Sequence, residues 1–269
     1  MRINTNLNAM LATNQMSRNT ALSGKSMEKL STGLRITKAG DDAAGLAVSE
    51  KMRAQIRGME QADRNVQDGI SMVQTAEGAL QEAGNIAQRM RELGVQAGND
   101  TFSTTDRAKI KTELDQLQQE MTKIGEEAKF NGKNLLSGTK SFTIQAGANK
   151  EVRTITTIDL VAQAKTLSKV TDVGTSKAAQ TFLDAVDKVL ESINTGRANL
   201  GATQNRLECT SSNLTTSTEN LSAAESRIRD IDVAKEMVKL SKLNILTQAS
   251  QAMVAQAKQQ PESVTQLLR

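Results

Sequence analysis

From Val186 an apolar residue recurs at every seventh position, through Ile193, Leu200, Leu207, Leu214 and Leu221 to Ile228. That spacing predicts a long helix with one buried seam. The companion positions three residues on are Val189, Gly196, Thr203, Thr210, Ser217, Ala224 and Ile231. Mid-ladder they are small or hydroxylated, which suits close packing against other helices better than an independent dimeric zipper. Pro261 is the only proline, so nothing upstream of it has to break a helix. A helix from Ser176 to Gln259, at ~1.5 Å per residue, would be on the order of 125 Å long. The phase of the apolar positions changes before Met237, Leu240, Ile245, Leu246, Ala249, Met253 and Val254. The polar run RIRDID from Arg227 to Asp232 therefore marks a joint between two bundles.

The same reading extends upstream. Residues 1–31 form a thin amphipathic stripe of Ile3, Leu7, Met10, Leu11, Leu22, Met27 and Leu30 among Asn, Thr and Ser, marginal as a helix by itself in water. STGLRITKAGDDAAG then supplies turn glycines and the pair Asp41 and Asp42, the chemistry of a loop followed by a helix N-cap. A second helix from about Asp42 to Ala97 steps by seven through Met59, Val66, Val73, Leu80 and Ala87, with Ile56 and Ile70 on the adjoining seam. Ser103 and Asp106 form a capping box for a third helix with Ile110, Leu114, Leu117, Met121 and Ile124 on one face, ending before Asn131-Gly132. Between about Lys140 and Ile158 the period becomes two. Phe142 and Ile144 precede a Gly147–Lys150 turn and then Val152, Thr154 and Thr156, with Ile155 and Ile158 as the competing register. This is one β-hairpin, which needs a helix to lie on. Residues 161–175 carry too little pattern to assign.

Composition narrows what such a chain can be. Four Phe, no Trp and no Tyr exclude a thick globular core; apolar area has to come from many thin contacts along helices. The absence of histidine removes the commonest general base and zinc ligand, and no nucleophile, base and pocket can be assembled, so no enzyme and no cofactor is expected. Cys209 is the only cysteine, off the ladder on a helix flank, and no intrachain disulfide can form. The net charge of +4 comes from interspersed signs without a basic block or interleaved aromatics, so no nucleic-acid partner is expected. No stretch approaches the length of a membrane span, and no membrane partner is expected. The N-terminus lacks the apolar run of a signal peptide.

Several blocks carry a resemblance. They are MRINTNLNAMLATN at the start, MEKLSTGLRITKAGDDAAGLAVSEKMRAQIRG from Met27, QDGISMVQTAEGAL from Gln67, QRMRELGVQAGN from Gln88, FNGKNLL from Phe130 and IQAGAN from Ile144. RANLGATQNRLE from Arg197, ENLSAAESRIRDIDVAKEM from Glu219, NILTQASQAMVAQA from Asn244 and the terminal QLLR complete the set. In this order the chain resembles bacterial flagellin over nearly its whole length. Cys209 in RLECT and the apolar LSKLNILTQ depart from the usual family pattern.

The resemblance implies a mainly α fold, a long coiled-coil-like bundle built from both chain ends plus one small β-hairpin region. Residues 1–41 and 232–269 would supply the inner tube of a hollow filament. Residues 42–231 would supply the outer tube, with the hairpin near 140–158 and no outer variable domains. The implied function is a subunit that polymerises head-to-tail, a homopolymer that lies outside the cell and is exported without a cleaved signal peptide. Thin apolar stripes that one subunit cannot bury would order as neighbours supply the missing surface. The expected inner-tube interface is Ile3, Leu7, Leu11, Ile245, Ala249, Met253, Leu267 and Leu268. Implied partners are an export chaperone on the C-terminal helix, hook-associated and cap proteins, and a flagellin-sensing Toll-like receptor contacting Arg89, Leu93 and Glu113. A hook-filament junction protein is the nearest alternative, and RANLGATQNRLE and ENLSAAESRIRD favour the filament subunit over it. A chemoreceptor hairpin is disfavoured because a β-hairpin stands where its helical tip should be.

Overall fold

A computed structural model describes the backbone of residues 6–267 and the side chains of residues 6–259. In chain order it contains α1 (Leu7–Thr32), α2 (Ala43–Ala97), α3 (Thr104–Glu127), a short hairpin of β1 (Lys129–Phe130) and β2 (Lys133–Asn134), and a second hairpin of β3 (Ser141–Gln145) and β4 (Val152–Thr156). These are followed by α4 (Leu160–Ser168), α5 (Ser176–Arg229) and α6 (Val233–Leu267). The chain divides into two compact units, Gln55–Glu219 and Met1–Ala54 with Asn220–Arg269.

In the unit Gln55–Glu219 the heptad ladders are the core. Val66, Val73, Leu80 and Ala87 of α2 and Val186, Ile193, Leu200 and Leu207 of α5 are all buried. The two helices run antiparallel, tied at Arg91–Asp187 (2.7 Å) and by Gln67 Nε2 donating to Ser211 Oγ (3.1 Å). Half of the expected capping box forms at Ser103: Asp106 N donates to Ser103 Oγ (3.3 Å), but the Asp106 carboxylate accepts from the Ser103 hydroxyl (2.7 Å) in place of its backbone N–H. This holds the carboxyl below its ordinary value.

Leu160–Ser168, which falls almost wholly in the stretch 161–175 left unassigned from sequence, forms α4. Asp159 caps it by accepting from Ala162 N (2.9 Å), and Leu160, Val161, Ala164 and Leu167 turn inward. It packs on α3, where Gln118 Nε2 donates to Ala164 O (3.1 Å). Asn131-Gly132 does more than stop α3. Both residues have positive φ (47° and 76°), the conformation of a two-residue hairpin turn, and they join β1 to β2.

In the larger hairpin the competing register prevails. Phe142 pairs with Ile155 and Ile144 with Arg153; cross-strand partners share a face, so an inward Phe142 brings Ile155 inward. Ile155 is buried while Val152, Thr154 and Thr156 are exposed. The hairpin lies on α2, with Asn65 Nδ2 donating to Gln145 O (3.2 Å) and Ala148 seated against Gly58.

In the other unit, the single helix expected from Ser176 to Gln259 is broken. Leu34 forms a bridge with Asp230, Arg35 N donates to Arg229 O (2.7 Å) and Ile231 N to Gly33 O (3.1 Å). The backbone groups of the joint are thus satisfied by the loop after α1 rather than by a continuing helix. Arg229 pairs with Glu50, and Arg53 with Glu225 (3.2 Å). Asp232 then restarts the helix, accepting from Lys235 N (3.1 Å).

Candidate functional site

The terminal helices α1 and α6 pair antiparallel through polar groups. Asn6 Nδ2 donates to Ala257 O (2.6 Å), Ser23 Oγ to Asn244 Oδ1 (3.2 Å) and Ser26 Oγ to Glu236 Oε1 (2.5 Å). The buried side chains that α1 contributes are Asn19 and Ser26. The Ser26 hydroxyl, with Lys239 beside it, holds the Glu236 carboxyl below the ordinary glutamate range.

The large apolar side chains of these helices face outward instead. Leu7, Leu11, Ile245 and Met253 are 53, 64, 65 and 65% exposed, and Ala249 is exposed as well. Of the remaining residues expected at the inner-tube interface, Ile3 and Leu268 lie outside the described residues, as does the side chain of Leu267. Leu22 and Val238 are further members of the outward face. Val238 was legible, since it stands one heptad before Ile245. Among the described residues, every large exposed apolar side chain except Val95 and Val152 belongs to this unit.

Helical geometry decides whether the two outward stripes form one face. At about 100° per residue, Leu7, Leu11 and Leu22 are displaced from the α1 seam by roughly 50–110°. Val238, Ile245, Ala249 and Met253 are displaced from the α6 seam by roughly 90–170° in the same rotational sense. In an antiparallel pair, displacements of the same sense fall on the same side. The opposite side is lined by Thr20, Gly24, Asn244 and Thr247 together with Met27. The pair therefore gathers these seven apolar residues on one side, while Met27 and Met237 are exposed off it and α6 turns Leu243 and Ala257 inward. A helix that is apolar on both sides is one that ends up buried.

The residues carried over for receptor contact divide. Arg89 is exposed, its guanidinium 3.0 Å from both Glu113 and Glu92, and these carboxylates raise its pKa. Glu113 on α3 is likewise exposed. Leu93 is 2% exposed, so its side chain is engaged in core packing rather than lying on the surface as expected.

Long antiparallel helices, with the two chain ends paired and large apolar side chains left exposed on that pair, define the class: an elongated helical-bundle protein. Residues 3–141 match the family model for the bacterial flagellin N-terminal helical region and residues 183–268 the model for the bacterial flagellin C-terminal helical region. A flagellin of Halalkalibacterium halodurans is 53% identical over 273 residues, covering 100% of both chains. The crystal structure of Bacillus cereus flagellin superposes with a TM-score of 0.52 at 33% identity, covering 60% of this chain and 94% of that one. A flagellar hook-associated protein of Vibrio parahaemolyticus, 12% identical, has a TM-score of 0.61 over 71% of this chain and 100% of its own, which shows the shared fold alone. The chain belongs to the bacterial flagellin family. It is a structural subunit of the flagellar filament and not an enzyme.

Proposed function

We propose that the filament grows by burial of the α1–α6 face against a different surface of the next subunit, a head-to-tail contact that does not close on itself. Residues 1–41 and 232–269 then form the inner tube and residues 42–231 the outer tube. The observation that carries this is the set of large apolar side chains that the helix pair leaves exposed. Burial of Leu7, Leu11, Ile245, Ala249 and Met253 supplies the apolar contact that the monomer lacks.

The test is seeded elongation followed by electron microscopy. Leu11→Asp and Ile245→Asp are expected to keep the monomer's helix content and to stop growth; growth at the wild-type rate would remove the face from the interface. Deleting Gln259–Arg269 is expected to abolish filaments while the central helices persist.

The same reading includes export through the flagellar apparatus without a cleaved signal peptide, with a chaperone covering α6 on the way and hook-associated and cap proteins at the filament ends. It also includes recognition by a flagellin-sensing Toll-like receptor, supported by the exposed Arg89 and Glu113, with Leu93 as the packed base beneath them. A receptor-reporter assay on Arg89→Ala decides this: reduced potency is expected, and equal potency takes Arg89 out of the site. The alternative hook-filament junction role is less well supported, because the match to a filament protein extends over the whole of both chains.

A further inference from the structure

The turn between β1 and β2 holds a reactive dipeptide. Asn131 is the one asparagine of the chain that glycine follows. No side chain on Gly132 hinders its backbone nitrogen, so that nitrogen can attack the Asn131 carboxamide wherever the chain is free to bend. Asn131 is exposed, and water reaches it. The folded turn works against the reaction. Both residues have positive φ, 47° and 76°, and the pairing of Phe130 with Lys133 leaves only these two in the loop. Such a turn is the mirror image of type I, with ψ of ~+30° at its first position. There the Gly132 nitrogen lies on the far side of the Cα–C bond from Cβ, and the five-membered ring between it and the side chain cannot close.

This turn has little ladder behind it and much packing beyond it. β1 and β2 are two residues each. Leu135 N donates to Ala128 O (2.9 Å), Lys140 Nζ to Asn134 O (3.1 Å) and Leu160 N to Leu136 O (3.0 Å). Leu135 and Leu136 are fully buried. The turn thus sets the register that carries the chain from the end of α3 into the core and on to α4. An extra main-chain atom in the loop cannot be absorbed along so short a ladder, and it displaces both leucines.

We infer that Asn131 is a deamidation site which the closed β1–β2 turn shields, and that a chain left unfolded is altered there in a way that keeps the turn from re-forming. In the open chain the Gly132 nitrogen gives up its proton and bonds to Asn131 Cγ. The bond from Cγ to the side-chain nitrogen breaks, and that nitrogen leaves with the proton as ammonia. Water then opens the succinimide ring. Addition at Cγ gives aspartate; addition at the main-chain carbonyl carbon gives isoaspartate, whose main chain runs through Cβ and Cγ and is one methylene longer. Nothing is oxidised or reduced. Only chains that close the turn before the ring closes keep the two-residue loop on which Leu135 and Leu136 depend.

Full-length chain held at mildly alkaline pH, either in buffer or in guanidinium, tests this, with the tryptic peptide Phe130–Lys133 followed by mass spectrometry. Conversion in the unfolded chain is expected to be faster by about tenfold or more, with isoaspartate among the products. Once guanidinium is removed, the isoaspartate fraction, separated by chromatography, should melt at a lower temperature than chain held equally long in buffer. Asn131→Gly keeps a turn sequence suited to positive φ at both positions and has no carboxamide to lose, so it should refold unchanged after the same treatment. It also retains Asp68-Gly69, whose own rearrangement would damage both chains alike.

Equal conversion in native and unfolded chain, no conversion at Asn131 in guanidinium, or an isoaspartate fraction that melts like the untreated chain would each overturn the inference. So would an equal loss of refolding in Asn131→Gly, which would place the damage away from the turn.

Discussion

Two glycines on α2 differ in what a single methyl group would meet. A Cβ at Gly58 would lie 2.8 Å from the Cβ of Ala148 and 3.2 Å from its Cα, so the hairpin itself would have to move, whereas nothing lies within 4 Å of Gly78. Gly58→Ala is expected to destabilise by about 1–3 kcal/mol, and Gly78→Ala to stabilise by about 0.4–1 kcal/mol through the unfolded chain. Thermal melts of the two variants check both signs. Leu93 and Arg89 form a second contrast. Leu93→Ala should cost about 2–5 kcal/mol, while Arg89→Ala, losing a solvent-exposed ion pair, should leave the melting temperature nearly unchanged. Receptor potency of any Leu93 variant therefore needs its melting curve beside it. The sequence motif placed Leu93 near Arg89 correctly, but a motif does not tell which of two neighbouring positions points into the core.

The long ladders of α2 and α5 were legible because a seven-residue repeat sustained over many turns has only one physical reading. α4 was not, because nine residues offer little periodicity; in retrospect Asp159 followed by Leu160, Val161, Ala164 and Leu167 is a cap and a stripe. The hairpin was placed correctly, but the alternation read first, through Val152, Thr154 and Thr156, gave way to its competitor through Ile155. Pairing of Phe142 with Ile155 decided it. The joint between α5 and α6 was visible as the polar RIRDID, whereas the bonds from Gly33, Leu34 and Arg35 that complete it are long-range and invisible in any window. Asp232→Ala removes the cap of α6 and should loosen the start of that helix. Hydrogen exchange would show the loss as faster exchange of the first turn of α6, with α5 unchanged.

At the scale of the whole molecule, the unit Gln55–Glu219 has a buried aliphatic core, and the other unit has comparatively few buried apolar side chains. The two should respond differently to acid. Glu236 has its folded pKa below the ordinary value of 4.5, so its contribution is complete above that value and fades as pH falls through the depressed one. Exchange of α1 and α6 amides, corrected for intrinsic rates, should therefore rise below about pH 4.5 before that of α2, and Glu236→Gln should flatten the dependence. Parting α1 from α6 uncovers Asn19, Ser26 and a carboxylate together with Leu243 and Ala257. Far less hydrocarbon is wetted in that event than when the heptad core melts, so unzipping the chain ends should carry the smaller heat-capacity step and the large positive one should follow.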